Sequence, residues 1–307
     1  MIILEDLPPE ERKRYIESKQ KLTQKRLNGK KIYKYKSTLT NIFIIKDKLI
    51  NKSIAENIFE VILLNEYVNF YDFDIKTTYN EIKSGLEFIP DLFKELLNKM
   101  SSLKNHLILR VDKQGMIKEV LNQNELTEKW RDLKNEILQT NEKIPEKDIK
   151  KILEAGDKEY TLSSVQMAAD ISKMLIYKIL FNSFMDKERD NLKNGLFIRE
   201  FTSSIFPEVQ IEVEMQIKEE PVTVDDDYIT QVFISREINV NEAKIKKIFL
   251  NNYAILKESF KDYNYNSIAI SSLEKATLWP LSINFGSKEK INTSVSIEME
   301  LHIEQID

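Results

Sequence analysis

Carboxylates are the side chains of this sequence whose types and spacing best fit chemistry. Asp72 and Asp74 lie two residues apart in an alternating stretch, so they share one strand face and could form a catalytic acid–base pair. Asp225, Asp226 and Asp227 are consecutive and could place two carboxylates on one Ca²⁺ or Mg²⁺ ion. Exposed strand carboxylates and a solvated loop explain the same residues without chemistry. A carboxylate-based, divalent-metal-dependent enzyme therefore stands as one interpretation.

Histidine, cysteine and glycine add little to this chemistry. The chain has two histidines, His106 and His302, each in or beside a predicted strand, and no cysteine. Without cysteine there are no disulfides or thiolate metal sites, and two separate histidines favour structural or surface roles. Six scattered glycines form no phosphate-binding loop. We therefore assign no catalytic, cofactor-binding or metal-ligating residue and expect no cofactor.

Composition indicates a globular protein with a large core. The 307 residues are 42% hydrophobic and 31% charged, with a net charge of −4. The absence of a basic excess disfavours a general nucleic-acid-binding protein. The opening residues, MIILEDLPPEERKRY, lack the arrangement of a secretory signal, which predicts a cytoplasmic protein.

The N-terminal region has two candidate contact features. Residues 1–9 are predicted to be an extended arm whose apolar side chains could bind a partner: Ile2, Ile3, Leu4 and Leu7. Residues 10–36 hold eleven Lys or Arg against three Glu, whereas residues 200–235 hold nine acidic residues and one Lys. This asymmetry could orient head-to-tail contacts. The candidate basic patch consists of Arg12, Lys13, Arg14, Lys30, Lys31 and Lys34. A solvated helix and strand edge explains the same charges, and base stacking on the interleaved aromatics is a lesser alternative.

The stretch 161–186 is predicted to be a central helix that is apolar on most of its circumference, and hence buried on several sides. Ser163 and Gln166 have the spacing of a capping box at its start. It is long enough to cross a bilayer, but charged side chains interrupt it and disfavour a membrane span: Asp170, Lys173 and Lys178.

Strand patterns flank this helix on both sides. The predicted strands are 31–45, 57–64, 66–78, 208–218, 228–238, 265–273, 277–285 and 293–304. A hairpin is predicted at 106–121, with Gly115 in its turn, and Gly286 is expected to open a later turn. Residues 187–206 are predicted to be a connector. The other predicted helices are 10–27, 80–103 with a kink or break at Pro90, 123–139, 145–155, and 241–262 capped by Asn239 or Asn241.

The element order predicts an α+β fold in which twisted antiparallel sheets pack against central helices. The order of elements over 57–121 is strand, strand, helix, strand, strand, and the same order recurs over 208–304. We therefore consider two pseudo-repeated ββαββ units as a hypothesis, with coincidence as the alternative. Regular βαβ alternation with Gly-rich turns is absent, which disfavours a Rossmann-type fold. The predicted organisation is an arm and helix at 1–29, a first α+β unit at 30–140, a central helical segment at 141–206 and a second α+β unit at 207–307.

Two segments resemble parts of uncharacterised α+β proteins common in Bacteroidetes. The hairpin at 106–121 contains Asp112-Lys113-Gln114-Gly115 and precedes a helix, and the segment 276–305 places a strand pair after Trp279-Pro280. Such proteins often carry a strand–D-x-x-G–strand unit before a helix. Many of them are lipoproteins, but this chain has no lipobox cysteine, so the resemblance does not imply an envelope location and transfers no functional residue.

The first functional hypothesis is a non-catalytic protein-interaction protein: an adaptor, a chaperone-like factor or a subunit of a larger bacterial assembly. Its expected partner is another protein or a second copy of the chain. The alternatives are a binder of an apolar ligand or lipid and the carboxylate-based enzyme. The predicted cavity-lining residues for an apolar ligand are Met174, Phe181, Phe184 and Met185. Trp130 and Trp279 are expected to be packing anchors.

Overall fold

The structure, a computed structural model, describes residues 8–10, 13, 17, 31–84, 90–140, 145–182, 184, 196–220 and 227–307. The strands are β1 Tyr33–Ile45, β2 Lys48–Glu66, β3 Phe70–Ser84, β4 His106–Asp112, β5 Ile117–Val120, β6 Leu196–Thr202, β7 Gln210–Glu220, β8 Tyr228–Val240, β9 Tyr263–Glu274, β10 Pro280–Ile291 and β11 Val295–Ile306. The helices are α1 Asp91–Ser102, α2 Gln123–Thr140, α3 Glu146–Tyr160, α4 Ser164–Ile171, α5 Leu175–Asn182 and α6 Glu242–Asn252. Short 3₁₀ helices follow α1 at Leu103–Asn105 and α6 at Ala254–Leu256.

The eleven strands of the described residues form one sheet in the order β5-β4-β3-β2-β1-β11-β10-β9-β8-β7-β6. Every neighbouring pair is antiparallel, which confirms the coarser prediction of a protein of mixed helix and strand content with antiparallel pairing; the sheet dominates the fold. The two strand-rich regions are not separate sheets, because β1 pairs with β11 along its length and places Leu39 opposite Leu301.

Side chains alternate between a buried face of the sheet, here called the core face, and an open face. In β9 the residues Tyr263, Tyr265, Ser267, Ala269, Ser271 and Leu273 are buried. The intervening residues of β9 are exposed or half-buried. This period of two is typical of an antiparallel sheet with one face on the core and the other on solvent.

The sheet curls around α5. The ring centre of Phe181 in α5 lies 5.0 Å from that of Phe73 in β3. On the same helix, Lys178 Nζ lies 3.0 Å from the ring centre of Phe201 in β6. β3 and β6 are separated by eight interstrand spacings in the sheet order. In a flat sheet this separation would be roughly 38 Å, whereas a helix is only about 10–12 Å wide. A strongly curved sheet is required for one helix to reach both, as expected for a helix buried on several sides.

The central helical segment differs from the single helix that its sequence predicts. The capping box of Ser163 and Gln166 is present, but α4 ends at Ile171 and α5 begins at Leu175. Ser172 Oγ donates to the carbonyl oxygen of Ala168 at 2.7 Å, a bond that weakens the helical ladder at this point. Apolar periodicity could not reveal the break, because both helices are apolar on several sides.

A second, smaller core lies among α1, α2 and α3. Trp130 of α2 stacks on Tyr160 of α3 with ring centres 5.6 Å apart. Gly156 lies against the Trp130 ring, and a Cβ atom there would be only 2.1 Å from the indole. Trp130 and Trp279 are 2% and 0% exposed, which confirms both as packing anchors. The other buried members of this core are Leu96, Leu103, Leu133 and Ile137.

Several predicted boundaries were wrong. Residues 80–84 continue β3 because Ile82 pairs with Ala55 in β2, and the next helix begins directly after Pro90. Gly286 lies inside β10 opposite Ile268, and the turn instead contains Asn292, whose φ is 52°. The helix predicted at 145–155 continues to Tyr160. The helix predicted at 241–262 has the expected cap at Asn241 but ends at Asn252. The segment 187–206, predicted to be a connector, contains β6.

The two ββαββ orders occupy opposite halves of the sheet. Both β2 to β5 and β7 to β10 run through consecutive neighbours, and the chain proceeds in the same direction along the sheet in each half. The duplication itself stays a prediction. Within the described residues, none of the helices combines the length and the apolarity needed to cross a membrane.

Candidate functional site

A block of aliphatic side chains lies on the open face where β8 and β9 pair. Ile234 is directly opposite Ile268, and Val232 is opposite Ile270. The three isoleucines are 39%, 44% and 41% exposed, and Val232 is half-buried. We call these four residues the open-face patch. Cross-strand pairs of this kind stabilise a sheet, but here they leave a contiguous apolar surface in solvent.

Polar residues surround the open-face patch. Gln216 and Lys218 of β7 lie beside it on one side, opposite Ile234 and Val232. On the other side, β10 places Asn284 opposite Ile270 and Gly286 opposite Ile268. Since Gly286 has no side chain and no atom of the described residues lies within 4 Å of a Cβ built there, these residues leave the flank of Ile268 uncovered. The result is an apolar centre with a polar border.

The predicted carboxylate pair is present on the open face of β3, but each carboxylate has a basic partner. Asp72 is 2% exposed and accepts two bonds from Arg110, at 2.9 Å from Nε and 3.1 Å from Nη2. Asp74 Oδ1 lies 3.1 Å from His106 Nε2, and its Oδ2 lies 3.8 Å from Lys76 Nζ. These contacts favour a structural role over acid–base chemistry.

His106 lies between two carboxylates. Its Nδ1 is 3.2 Å from Glu125 Oε1, while its Nε2 contacts Asp74. The Lys129 ammonium, with help from the Asn122 amide and the His106 ring, lowers the pKa of Glu125 to about 2. Both ring nitrogens are therefore engaged by protein groups, and this arrangement leaves neither of them free to serve as a base.

The other predicted polar features do not converge. His302 is exposed on β11, with Nδ1 2.7 Å from Asn284 Oδ1. Asp225 and Asp226 lie outside the described residues, and Asp227 precedes β8, where its carbonyl oxygen accepts from Lys275 N. Within the described ranges, no cluster of three or more His, Asp or Glu side chains could hold a metal ion.

Most of the predicted N-terminal contact residues lie outside the described part of the chain. This applies to the whole arm, Ile2, Ile3, Leu4 and Leu7, and to Arg12, Arg14 and Lys30 of the basic patch. Of the remaining members, Lys13 and Lys31 are exposed and Lys34 is half-buried on the open face. The arm and the basic patch stay predictions.

The structure gives base stacking on the tyrosines of β1 no support, because both rings are buried. Tyr33 and Tyr35 are 4% and 0% exposed on the core face, where Tyr33 stacks on Trp279 at 3.8 Å. Lys34 and Lys36 alternate with them and point to the opposite face. Lys34 and Lys36 therefore do not share a face with Tyr33 and Tyr35, whereas Lys31 Nζ lies 4.7 Å from the ring centre of Tyr33.

A cleft of about 400 Å³ opens between the core face and the helices. Its floor is formed by β2 and β3, including Asn57 and Phe59, and its walls come from α1, the 3₁₀ helix at Leu103–Asn105, and the ends of α3 and α5. Met174, one of the predicted cavity residues, lines it. Phe181 and Phe184 are instead packed against Phe73, and Met185 lies outside the described residues.

Glu289 is a buried carboxylate on the core face of β10, 2% exposed. Tyr263 Oη donates to it at 2.9 Å and the amide of Ser204 at 2.7 Å, and Ser203 Oγ and the amide of Ile205 also donate. Burial nevertheless raises the pKa of Glu289. These bonds attach the segment after β6 to the middle of the sheet.

Lys178 is an unusual amine inside the curled sheet. Its Nζ faces the ring of Phe201 and makes no ion pair with a carboxylate of the described residues. Burial, and then the positive charge of Arg199, lower the pKa of Lys178 to about 7. An unpaired lysine costs stability when it is charged.

Comparison with known proteins gives no family for this chain. No protein-family model matches it, and no curated protein matches it significantly. The resemblance to Bacteroidetes proteins stays a prediction.

Sequence reasoning missed the open-face patch, although a signal was present. Residues 232–234 are apolar at three consecutive positions, so both faces of β8 carry an apolar side chain there. Ile268 and Ile270 alternate with the core residues in the same way as the polar residues Asn264 and Asn266, so all four lie on the open face of β9. Apolar residues at positions that should face solvent indicate a binding surface, provided that the two strands are known to be neighbours.

Proposed function

We propose that this protein is a non-catalytic protein-interaction protein, an adaptor, chaperone-like factor or assembly subunit, that binds a partner through the open-face patch. The observation that carries the proposal is the pairing of Ile234 with Ile268 and of Val232 with Ile270 on the solvent side of the sheet. The three isoleucines of the patch are about 40% exposed. Apolar residues grouped in this way mark binding sites more often than scattered ones do.

The form of the patch favours a separate protein over an obligate second copy. Obligate dimers bury large, strongly apolar areas, commonly above about 2,000 Å² in total. Here a small aliphatic centre is bordered by Gln216, Lys218 and Asn284. A few central apolar contacts inside a polar border are typical of non-obligate complexes, in which the border excludes water. We therefore expect a partner that presents an aliphatic anchor with polar surroundings.

The alternative of a carboxylate enzyme gains no support from the site. Asp72 and Asp74 are held by Arg110 and His106 and do not line the cleft. The predicted arm and basic patch could extend the contact area. Deleting residues 1–9 should then weaken association without lowering the melting temperature much.

Photo-cross-linking tests the proposal directly. p-Benzoylphenylalanine is placed at Ile268 in full-length protein produced in the source cells, and at Asn264 as the matched control on the same strand and face. We expect one adduct of defined mass from position 268 and little from position 264. Adding Ile234→Glu should lower that adduct's yield at least tenfold, since it places a charge in the centre of the contact.

The mass of the cross-linked adduct and its dependence on position distinguish the possible results. An adduct that needs position 268 and is lost with Ile234→Glu supports the proposal, provided that its mass is not twice that of the chain. An adduct of twice the chain mass replaces the separate partner with a second copy. Equal yields from the two positions, or no adduct at position 268, overturn the proposal.

A further inference from the structure

We propose that the cleft between the core face and the helices is a binding site for a small, neutral molecule with an apolar body and an amide-like head. This inference does not depend on the open-face patch, which lies on the other side of the sheet. The cleft volume of about 400 Å³ is within the usual range of small-molecule sites. The class of ligand follows from the side chains that line the cleft.

The apolar walls are available to a ligand because they are incompletely covered by protein. Leu97 of α1 is 48% exposed and Met174, just before α5, is 37% exposed, although both line the cleft. Met100 and Ile176 continue this wall, and Phe59 forms the apolar part of the floor. Two thioether side chains in one wall can adapt to the shape of an aromatic or aliphatic body.

The polar part of the floor consists of uncharged groups. Asn57 of β2 and Asn80 of β3 are directly opposite each other in the sheet, and both line the cleft. Thr77, three residues before Asn80 on β3, also lines the cleft, beside Tyr177. A side-chain amide offers both N–H donors and a carbonyl acceptor. Asn57 Nδ2 already donates to Ser37 Oγ at 3.5 Å. Its second N–H and its carbonyl oxygen, together with the Asn80 amide, match a head group that donates and accepts, as a carboxamide or lactam does.

The charged residues of the cleft neutralise each other. Lys104 Nζ is hydrogen-bonded to Glu159 Oε1, and the same ammonium lies 5.6 Å from the ring centre of Tyr160. An anionic ligand would have to compete with Glu159 for the lysine, and a cation would have to compete with the lysine for Glu159. This pairing favours a neutral molecule over a fatty acid or a phospholipid, whose head groups need an unpaired cation.

Titration by ligand-detected NMR tests this assignment on the full-length protein. The probes are 2-naphthamide and 2-naphthoate, which share an apolar body and differ in the charge of the head. We expect saturable binding of the amide with a dissociation constant at least tenfold lower than that of the carboxylate. Asn80→Ala should weaken the amide several-fold, because one hydrogen-bonding group of the floor is lost.

Two variants that fill the cleft complete the test. Met174→Trp and Leu97→Trp replace half-exposed wall residues, so a folded protein is expected from at least one of them, as checked by circular dichroism and thermal unfolding. Either folded variant should weaken binding of the amide more than tenfold, whereas Ile268→Trp on the open face should leave it unchanged. Absence of saturable amide binding, equal affinity for the two probes, or unaltered binding in a folded cleft variant overturns the proposal.

Discussion

Arg199 of β6 donates to the carbonyl oxygen of Gln114 in the turn between β4 and β5. The bond joins the two ends of the sheet, because β5 and β6 are its first and last strands. Arg199 Nη1 also lies 3.4 Å from Met116 Sδ. Curvature is thus supported by a side chain that links the edges, in addition to the helix that the sheet surrounds.

Arg199→Ala should loosen this junction. We expect the free energy of unfolding to fall by roughly 1 kcal/mol, the usual net contribution of a hydrogen bond, because solvent reaches the charged donor here. Hydrogen exchange should accelerate most in β6 and in the turn at 112–116. Lys173→Ala is the matched control, since Lys173 pairs with Asp170 at an exposed site and should cost less than about 0.5 kcal/mol. Equal effects of the two substitutions would show that the junction has no special role.

Gly156→Ala should be one of the most destabilising small substitutions in the chain. The added methyl group would lie 2.1 Å from the Trp130 ring, which is held by a 2.9 Å bond from Nε1 to Asp157. Overpacking of this kind typically costs about 1–3 kcal/mol in urea unfolding. Gly286→Ala is the control, because a Cβ there meets no atom of the described part of the chain within 4 Å and Gly is unfavourable in a strand. Combining Gly156→Ala with Trp130→Leu should cost less than the sum of the two; strict additivity would contradict the contact.

Glu289 predicts a specific dependence of stability on pH. Because burial raises the pKa of Glu289 above its ordinary value of 4.5, the folded protein retains this proton at pH values where the unfolded chain has lost it. Stability should therefore decrease as pH rises from about 4.5 through the raised pKa of Glu289. Glu289→Gln removes this contribution, so its stability relative to the wild type should improve with rising pH. Urea unfolding from pH 4 to 8 measures the difference. Glu300→Gln, at an exposed site on β11, should show no such trend.

Lys178 predicts a pH effect over a higher range. Its pKa of about 7 lies below the ordinary value of 10.5, so between these pH values the folded protein binds fewer protons than the unfolded chain. Stability should rise with pH across this window and be lowest below it. Lys178→Met should stabilise the protein at pH 6 by more than about 1 kcal/mol, with a gain that shrinks towards pH 10, because one pKa unit corresponds to about 1.4 kcal/mol. A gain independent of pH, or one matched by Lys173→Met at an exposed site, would contradict a lowered pKa of Lys178.

The parts of the fold that depend on local sequence could be predicted. The hairpin around Gly115, whose φ is 76°, and the cap at Ser163 require only short-range geometry, and both are present. Alternation also located most of the long strands. By contrast, β6 lies in a segment that was predicted to be a connector. Its short apolar stretches do not by themselves indicate a strand, and its pairing with β7 makes it one.

The candidate surfaces could not be predicted for a related reason. Ile234 and Ile268 are separated by a loop and a helix, and only the register of β8 against β9 makes them a pair. The cleft depends on contacts of α1, α3 and α5 with the sheet, which periodicity does not specify. Met174 was anticipated as a cavity residue, but Asn57 and Asn80 have no local signal that would have pointed to a ligand.

The pairing of β1 with β11 has a consequence for how the chain folds during synthesis. β1 and β11 are neighbours in the middle of the sheet, although they are its first and last strands in the sequence. Every strand made between them has its own place in the strand order and does not cover this edge of β1. Until β11 leaves the ribosome, β1 keeps an unpaired edge along a strand that carries Leu39 and Phe43. Long-range pairing of this kind slows folding and exposes an edge to aggregation. Folding of the nascent chain therefore depends on protecting that edge until translation reaches the final strand of the sheet.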